Sequence, residues 1–426
     1  MISNAYNDLK ERGFINQETD AEALNKLLNS EKITFYIGFD PTGNSLHIGH
    51  LLPIMAMRRL QQAGHTPVVL VGGATALIGD PSGKSEARPI ITKETVAENV
   101  AAIKTQLARY VDLDKSIFVN NADWLQQLSY IDFLREVGYR FSVNKMLAAE
   151  SVKMRLETGL SFLEFNYSIL QAYDFYILNR DHKCRVQFGG QDQWGNIVAG
   201  VDLTRRMSQE EVFGMTFPLL LDSNGQKFGK TAGGAVWLDP ERTPIFDYYQ
   251  FWRNCDDADV GRLLGFFSSL PMSEIKELAT LEAPAINRAK EILAYEATAL
   301  AHGTAEAEKA YLAACGKFGF ADPENRIYTS SAIKNIQVRN GGMDDLPSYQ
   351  LPADDLTEEG VWIVKLLAQS GLCASNGEAR RLIAGGGAYL NDERISDADI
   401  YVGKDHFKDG SLILKAGKKK VKRIIL

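Results

Sequence analysis

The fold of this 426-residue chain is decided by the stretch Tyr36-Ile-Gly-Phe-Asp-Pro-Thr-Gly-Asn-Ser-Leu-His47-Ile-Gly-His50-Leu-Leu-Pro53. It begins with an apolar, strand-like run and continues through a turn rich in glycine, proline and aspartate. Pro53 limits where the following helix can start, because proline is tolerated in the first turn of a helix but not in its interior. We therefore expect a strand, a turn and then a helix that begins near Gly49 or His50.

The same alternation of strand and helix continues through the first half of the chain. Short apolar or β-branched runs, typical of buried strands, lie at 34–39, 67–71, 117–119 and 185–188. Helical spacing separates them, as in 50–63, which stops at Gly64. This alternation predicts an α/β fold with a Rossmann-like, doubly wound parallel sheet. In such sheets, ligands bind beyond the carboxyl ends of the strands.

Beyond residue 221 the strand signals fade and the chain changes character. Residues 244–316 show helical spacing, whereas 321–352 contain prolines and a Gly-Gly pair with little periodicity, which is typical of a linker. We therefore predict four segments. These are a Rossmann-like catalytic domain at 1–222, an all-helical domain at 223–320, a linker at 321–354 and a small α+β domain at 355–426.

Charge is distributed unevenly between these segments. The chain has 54 acidic and 47 basic residues and a net charge of −7, which taken alone argues against a nucleic-acid partner. Residues 361–426, however, contain twelve Lys and Arg against seven Asp and Glu, so this part carries +5 and the remainder −12. A basic terminal module on an acidic body is compatible with a specific nucleic-acid partner.

His47, Gly49 and His50 lie where the predicted helix begins, at its positive end. Backbone N–H groups and imidazole donors at such a position bind phosphate, and Gly49 leaves the backbone open to a flat ring. A zinc pair is one alternative, but zinc requires at least a third protein ligand, and no nearby His or Cys supplies one. Two surface histidines on a loop are the other. The motif alone leaves the nucleotide site and these two alternatives open.

A second basic element, Lys227-Phe-Gly-Lys230-Thr231, follows the α/β region. Two lysines three residues apart on a glycine-containing loop could clamp a triphosphate as its charge increases in a transition state. A solvated basic turn is the alternative. Residues 79–85 imitate a phosphate-binding P-loop, but that motif needs glycine where Ile78 stands, and we expect no kinase-type phosphate cradle there.

Four cysteines lie far apart, without the paired spacing of a zinc site or the density of a disulfide framework: Cys184, Cys255, Cys315 and Cys373. The N-terminal residues show neither a basic segment nor an apolar run, and no stretch is long and apolar enough to span a bilayer. We therefore predict a reducing, cytoplasmic location and no membrane partner.

Several further motifs accompany the two basic elements: Gly72-Gly-Ala-Thr, Gly79-Asp-Pro-Ser-Gly, Phe141-Ser-Val-Asn, Tyr167-x-x-Leu-Gln-Ala-Tyr-Asp174 and Gly189-Gly-Gln-Asp-Gln-Trp-Gly-Asn196. Together they resemble the bacterial tyrosyl-tRNA synthetases, a family of the class I aminoacyl-tRNA synthetases, over nearly the whole chain. The resemblance implies a ligase that activates L-tyrosine with ATP to tyrosyl-adenylate and pyrophosphate. It would then transfer the tyrosyl group to the 3′ end of tRNA(Tyr).

The resemblance also implies which residues bind tyrosine. Tyr36 and Asp174 would contact its hydroxyl and so reject phenylalanine, which would leave both groups buried and unpaired; this family is itself the standard example of that logic. The ammonium would be held by Asp80, Tyr167 and Gln171, and the carboxylate would face Gln193. Outside the motifs, Tyr36 and Tyr167 would be interpreted as packing aromatics and Asp174 as a charge on a helix surface.

The remaining motif residues are implied at the nucleotide. The ribose and the rest of the nucleotide would be contacted by Gly38, Asp40, Gly49, His50 and Asp192. Catalysis at the triphosphate would fall to Thr42, His47, Lys227, Lys230 and Thr231, together with His50. Magnesium is expected to arrive with ATP, and no protein ligand is assigned to it.

The C-terminal segment, Ser375-Asn-Gly-Glu-Ala-Arg380-Arg-Leu-Ile through Arg394, resembles an S4-type RNA-binding domain. Ser375 is a candidate helix N-cap. The resemblance implies RNA contacts through Arg380 and Arg381, extended by Lys418, Lys419 and Lys420; a solvated charged tail is the alternative. The implied partners are L-tyrosine, ATP, tRNA(Tyr), whose anticodon side would meet the helical domain, and a second copy of the chain in a homodimer.

Two other functions stay open at this level. A tryptophan-activating relative would share the fold, but indole has no hydroxyl that needs Tyr36 and Asp174. A non-catalytic RNA-binding protein on the same scaffold should have lost signature residues, yet His47, His50 and Lys230 are all present.

Overall fold

The structure, a computed structural model, describes residues 4–82, 91–223, 225–231, 234–336, 347–357, 359–391, 393–408, 410–417 and 420–426. The chain divides into two compact units, one formed by 1–243 with 256–280 and the other by 244–255 with 281–426. Residues 256–280, predicted to lie in the helical domain, thus belong to the first unit. The division into four segments stays a prediction.

Six strands form the central sheet of the first unit: β1 (Gln17–Glu18), β2 (Thr34–Phe39), β3 (Thr66–Val71), β4 (Ile117–Asn120), β5 (Cys184–Gly190) and β6 (Phe213–Phe217). Their order is β1-β6-β5-β2-β3-β4, and neighbours are parallel except β1 with β6 at the edge. β2 pairs with β3 on one side and β5 on the other, which is the point where a doubly wound sheet changes direction. Two further strands of this unit, β7 (Lys230–Thr231) and β8 (Gly234–Ala235), pair with each other. The predicted α/β class is confirmed, although the sequence pattern did not indicate β1 or β6.

Sixteen α-helices precede residue 320 among the described residues, and the three at 245–253, 286–302 and 304–318 belong to the second unit. They are α1 (Ala5–Glu11), α2 (Ala21–Ser30), α3 (Ile48–Gln62), α4 (Lys93–Leu107), α5 (Ala122–Leu125), α6 (Tyr130–Glu136), α7 (Val143–Ala148), α8 (Glu150–Thr158), α9 (Phe162–Phe165), α10 (Tyr167–His182), α11 (Trp194–Ser208), α12 (Ile245–Arg253), α13 (Val260–Phe267), α14 (Met272–Ala279), α15 (Ile286–His302) and α16 (Thr304–Phe318).

The helix after β2 begins earlier than predicted. α3 starts at Ile48 with His47 as its N-cap, so Pro53 lies inside the helix, beyond the first turn. Proline there costs one intrahelical hydrogen bond, because it has no N–H to donate. The reciprocal capping bonds of His47 and His50 explain the earlier start, since they satisfy backbone donors at the helix terminus.

The C-terminal part of the second unit is a small α+β fold with its own core. It contains β9 (Ser348–Gln350), β10 (Val361–Trp362), α17 (Ile363–Gln369), α18 (Asn376–Ala384), β11 (Ala388–Leu390), β12 (Glu393–Arg394), β13 (Tyr401–Val402), β14 (Ser411–Ala416) and β15 (Lys420–Ile425). Five strands pair in the order β12-β11-β14-β15-β9, and α17 and α18 contribute to the same buried apolar cluster. Residues 348–350, placed in the predicted linker, are therefore part of this sheet and not linker.

Candidate active site

A cavity of about 390 Å³ opens at the carboxyl ends of β2 and β5, beside the N-terminus of α3. This is the place where open α/β sheets bind their ligands. Fourteen of the residues predicted for the site line it: Tyr36, Gly38, Asp40, Thr42, His47, Gly49, His50, Asp80, Tyr167, Gln171, Asp174, Asp192, Gln193 and Lys227. The fold thus gathers residues that are up to 191 positions apart in the sequence.

The two histidines are oriented by the backbone of their own helix. Nδ1 of His47 accepts the Gly49 N–H at 3.0 Å, and Nδ1 of His50 accepts the His47 N–H at 3.2 Å. A neutral imidazole whose Nδ1 accepts must carry its proton on Nε2. Both rings can therefore present an Nε2–H donor to an anion at the positive end of α3. Gly49 is required here, because a Cβ at this position would lie 2.8 Å from the His47 ring.

The lysine motif lies against the same helix terminus. Lys227 lines the cavity and forms an isolated β-bridge with Leu221. Gly229 follows with a φ of +89°, and a Cβ there would lie 3.2 Å from Ile48. Lys230 and Thr231 form β7, which pairs with β8 (Gly234–Ala235) in a short hairpin. The backbone of the lysine motif at Gly229 therefore lies close to the backbone of the histidine motif at Ile48 and Gly49.

Asp174 closes one end of the cavity. It is 2% exposed on α10, so it is not a charge on a helix surface. Its carboxyl group accepts hydrogen bonds from Trp124 Nε1 at 2.7 Å and from Asn121 Nδ2 at 3.0 Å. Burial nevertheless raises the pKa of Asp174 to about 7, because these two donors offset only part of the desolvation of the carboxylate. The group is thus poised to change charge near neutral pH.

Tyr36 lies next to Asp174 at this end. Its ring packs 5.4 Å from that of Phe175, so it is a packing aromatic as well as a cavity residue. Its hydroxyl is buried and has no hydrogen-bond partner among the described residues. Burial, with the charge of Asp174, holds the pKa of Tyr36 well above its usual value. A buried hydroxyl without a partner costs on the order of 1–3 kcal/mol, which a ligand with a hydroxyl of its own would recover.

Asp80 and Gln193 form a second polar cluster in the cavity wall. Gln193 donates from Nε2 to Asp80 Oδ2 at 2.6 Å, and Asn196 donates to both Gln193 at 3.1 Å and Gln171 at 3.2 Å. Burial raises the pKa of Asp80, although the donors of Gln193 and Ser82 oppose this. Gln193 is therefore directed at Asp80 in this conformation.

Asp40 is fixed by two hydroxyl groups. Tyr167 donates to Asp40 Oδ2 at 2.8 Å and Thr75 donates to Asp40 Oδ1 at 2.8 Å. The Tyr167 hydroxyl is thus committed to Asp40, whereas its ring lines the cavity. A cation in the cavity would meet an aromatic face and a nearby carboxylate, a suitable environment for an ammonium group.

Sequence reasoning missed several residues of the site. Asn121 and Trp124 follow the carboxyl end of β4, and the rule that ligands bind beyond strand ends could have indicated Asn121. Gln187 lies inside β5 directly opposite Tyr36, lines the cavity, and has a buried Oε1 without a hydrogen-bond partner among the described residues. No signal within a single strand identifies such a residue, because the pairing register creates the site.

The residues predicted to bind RNA are only partly described. Ser375 caps α18 by accepting the Glu378 N–H, as predicted. The Arg380 guanidinium lies 5.0 Å from the Trp362 ring and 3.9 Å from an Asp399 oxygen, so it has protein partners of its own. Arg381 and Lys420 are exposed. Lys418 and Lys419 lie outside the described residues.

No group of three or more His, Cys, Asp and Glu side chains that could hold a metal ion is found in the described residues. Among the same residues, no helix is long and apolar enough to cross a membrane.

Comparisons with known proteins identify the family. The model described as tRNA synthetases class I (W and Y) matches residues 28–318, and the tyrosine–tRNA ligase SYY-like C-terminal domain matches residues 339–424. Tyrosine–tRNA ligase of Clostridium tetani is 49% identical over 428 residues, and that of Clostridium botulinum strain Loch Maree is 48% identical over 427; both alignments cover 100% of either chain.

Solved structures of tyrosyl-tRNA synthetases share the fold of this chain. A C-terminally truncated mitochondrial tyrosyl-tRNA synthetase of Aspergillus nidulans superposes with a TM-score of 0.65 at 30% identity, over 73% of this chain and 93% of that one. The Archaeoglobus fulgidus tyrosyl-tRNA synthetase complexed with L-tyrosine, at 18% identity, superposes with a TM-score of 0.56 over 72% of this chain and 99% of its own.

Proposed function

This chain belongs to the class I tRNA synthetases for tryptophan and tyrosine, as one of the tyrosine–tRNA ligases, and we propose from this premise how its residues divide the reaction. The enzyme joins L-tyrosine to tRNA at the expense of ATP. The observation that carries the choice of amino acid is the buried pair of Tyr36 and Asp174 at the end of the cavity. An indole ring has no hydroxyl to accept from Tyr36, so the buried Tyr36 hydroxyl would stay unpaired, which disfavours a tryptophan-activating relative.

The tyrosine hydroxyl would complete the hydrogen bonds of this pair. It would donate to Asp174 and accept from Tyr36, whose hydroxyl has no partner among the described residues. Asn121 and Trp124 already hold the Asp174 carboxyl group in place. Phenylalanine would displace water without replacing either bond, so its exclusion would follow from unpaired buried groups.

The α-amino group would lie at the second polar cluster. Asp80 is 5% exposed and supplies a carboxylate, Tyr167 an aromatic face and Gln171 an amide oxygen. A bound ammonium would keep Asp80 ionised despite its burial, since an opposite charge nearby favours the charged form. Gln193 would then be available to turn its amide from Asp80 toward the tyrosine carboxylate.

Activation needs no covalent enzyme intermediate. A tyrosine carboxylate oxygen attacks the α-phosphorus of ATP, the bond to the β-phosphate oxygen breaks, and pyrophosphate leaves with the electron pair. Positioning and charge stabilisation would supply the catalysis. The nucleotide would be held at Gly38, Asp40, Gly49 and Asp192, and charge on the leaving group would be met by Thr42, His47, His50, Lys227, Lys230 and Thr231.

ATP would enter as its magnesium complex. The described residues contain no candidate metal cluster, and we assign no protein ligand to the ion. The donors of the chain itself, namely the Nε2–H groups of the two histidines and the motif lysines, would add to the positive charge that magnesium brings.

ATP–pyrophosphate exchange with tyrosine, phenylalanine and tryptophan tests the function. We expect rapid exchange with tyrosine and very slow exchange with the other two amino acids. Exchange that is absent with tyrosine, or strongest with tryptophan, would contradict the assignment. A scaffold without catalytic activity would exchange with none of them.

The tRNA would be held partly by the C-terminal part of the second unit. Arg381 and Lys420 are exposed there, and the Arg380 guanidinium lies 5.0 Å from the Trp362 ring. Neutralising phosphates releases counterions, so Arg381→Ala should weaken tRNA binding and reduce its dependence on salt. An unchanged salt slope would point to a solvated charged surface.

We further propose that two copies associate through an apolar face of the first unit. Five large hydrophobic side chains between residues 130 and 162 are strongly exposed: Tyr130 (61%), Ile131 (60%), Tyr139 (66%), Val143 (57%) and Phe162 (71%). A groove of about 790 Å³, lined by residues of the same stretch of sequence such as Phe141, Met146 and Phe165, reaches Gln191 and Asp192 of the cavity wall. Clustered exposed apolar surface of this kind is typical of an interface.

Light scattering would test the dimer. Phe162→Asp should reduce the mass in solution to that of a monomer. Tyr328→Asp, which changes an equally exposed aromatic (71%) in the other unit, should leave the dimer intact. A wild-type chain that is monomeric at micromolar concentration would contradict the proposal.

A cytoplasmic location is proposed as well. All four cysteines are free thiols in buried positions, as expected where thiols stay reduced. tRNA, the substrate of the second step, is present in that compartment.

A further inference from the structure

Four side chains form a continuous stack that leads away from the histidine motif. The rings of His50 and His47 lie 3.9 Å apart, and the Trp237 ring meets the His47 ring edge-on, with 5.9 Å between the ring centres. The Arg242 guanidinium then lies 4.6 Å from the Trp237 ring. Trp237 is half-buried and is not among the described residues that line the cavity. None of the roles proposed above for the reaction includes it.

The backbone around Trp237 joins the two catalytic motifs. Val236 donates its N–H to Gly229 O of the lysine motif at 2.9 Å. Val236 O accepts the Ile48 N–H at 3.0 Å, and Leu238 donates to Leu46 O at 2.9 Å, with Trp237 directly opposite His47. One short segment therefore holds the first turn of α3 on one side and the Lys227–Thr231 loop on the other.

A turn immediately after this segment sets the position of Arg242. Asp239 O accepts the N–H groups of Arg242 at 3.1 Å and Thr243 at 3.0 Å, and Thr243 Oγ1 accepts the Trp237 N–H at 2.9 Å. The Arg242 guanidinium also donates to Asn44 Oδ1, in the loop that precedes His47. Arg242 thus contacts one partner of the β-bridge, Trp237, through its π contact, and it also contacts Asn44 in the loop that leads to the other partner, His47.

We propose that Trp237, supported by Arg242, is a positioning residue for adenylate formation: it fixes the His47 ring and sets the distance between the histidine and lysine motifs. The proposal rests on the proposed function of those motifs at the triphosphate. Loss of the indole removes the aromatic ring that lies edge-on to the His47 ring. The β-bridge between Trp237 and His47 also loses the ring contact that packs across it. Tyrosine binding is untouched, because the contacts at Tyr36 and Asp174 lie at another end of the cavity.

The test compares Trp237→Ala, Trp237→Phe and Arg242→Ala with the wild type in ATP–pyrophosphate exchange, with rates divided by the number of tyrosine sites titrated. We expect Trp237→Ala to lower kcat by about tenfold or more with the KM for tyrosine unchanged, since misplacement by about 1 Å can cost on the order of a hundredfold. Trp237→Phe keeps an aromatic wall and should recover most of the rate, and Arg242→Ala should give a smaller loss than Trp237→Ala. Trp362→Ala, which removes the comparable Arg380–Trp362 contact in the other unit, is the matched control and should exchange like the wild type.

Several results would overturn the proposal. They are a Trp237→Ala rate equal to that of the wild type, a loss that Trp237→Phe does not relieve at all, or a loss of kcat and of tyrosine affinity to the same extent. The last would indicate general damage to the fold. If the wild-type chain exchanges normally, these outcomes bear on the role of Trp237 alone. If the wild-type chain does not exchange, both the role of Trp237 and the proposed function are overturned.

Discussion

Replacing Trp124 by phenylalanine removes one of the two hydrogen bonds that hold the Asp174 carboxylate, while an aromatic ring still fills the space. The Nε1–H of Trp124 lies 2.7 Å from Asp174 Oδ1 and favours the charged form of the acid. A hydrogen bond to a charged group contributes about 1.5–3 kcal/mol, and one pH unit corresponds to about 1.4 kcal/mol. The pKa of Asp174, raised by burial to about 7, should therefore rise further in the variant, by about one to two pH units.

The kcat/KM for tyrosine, measured by ATP–pyrophosphate exchange at saturating ATP across a range of pH, reports ionisations of the free enzyme. Ionised Asp174 is the better acceptor for the tyrosine hydroxyl, so kcat/KM should rise as the pH passes about 7 in the wild type. In Trp124→Phe the same rise should occur at higher pH.

Asp174→Asn is the control, because it should remove the inflection altogether. If the inflection survives in that variant, it belongs to another group, such as Asp80, whose pKa burial also raises. A Trp124→Phe profile that does not move, or that moves to lower pH, would refute the reasoning. The hydrogen bond would then not be stabilising the charged acid.

Further predictions concern the catalytic motifs, stability and the C-terminal part. Gly49→Ala places a Cβ 2.8 Å from the His47 ring and should lower kcat by about tenfold or more in exchange assays; an unchanged rate would show that the ring can move without cost. Lys230→Ala should slow adenylate formation far more than it weakens tyrosine binding, and equal losses would argue against a transition-state role. Because the folded chain holds the Asp174 proton more tightly than the unfolded chain, stability should fall as the pH rises from about 4 to about 7, and Asp174→Asn should flatten this slope in thermal melts; an identical slope in both proteins would contradict it. Truncation after Ile336, ahead of β9 and its partner β15, should preserve exchange but impair charging of tRNA, whereas intact charging would exclude the tail from RNA binding.

Local sequence determined much of the framework. The runs at 34–39 and 117–119 became strands within a residue of their predicted bounds, because buried parallel strands are marked by short apolar stretches. The helix at the histidine motif was also predicted, though its start was placed too late. The predicted start rested on the position of Pro53, whereas the capping hydrogen bonds of His47 and His50 determine where the helix begins.

The charge distribution also carried information that whole-chain arithmetic concealed. A net charge of −7 argued against RNA, yet residues 361–426 carry +5 and make up most of the matched C-terminal domain at 339–424, whose remaining residues 339–360 carry −5. Charge acts locally, because screening limits its reach to about 10 Å in ordinary salt.

Tertiary structure alone decided how the site is closed. Asn121 and Trp124 donate hydrogen bonds to Asp174, which is about 50 positions away in the sequence. Gln187 pairs with Tyr36 through the register of β5 and β2. Trp237 pairs with His47, 190 positions away, in an isolated β-bridge. None of these pairs shares a local period, since register and crossover connections are set by packing of the whole sheet. The motifs of the sequence thus determined which chemistry the chain carries. The fold determined which side chains orient those motifs, because orientation depends on contacts that no local pattern records.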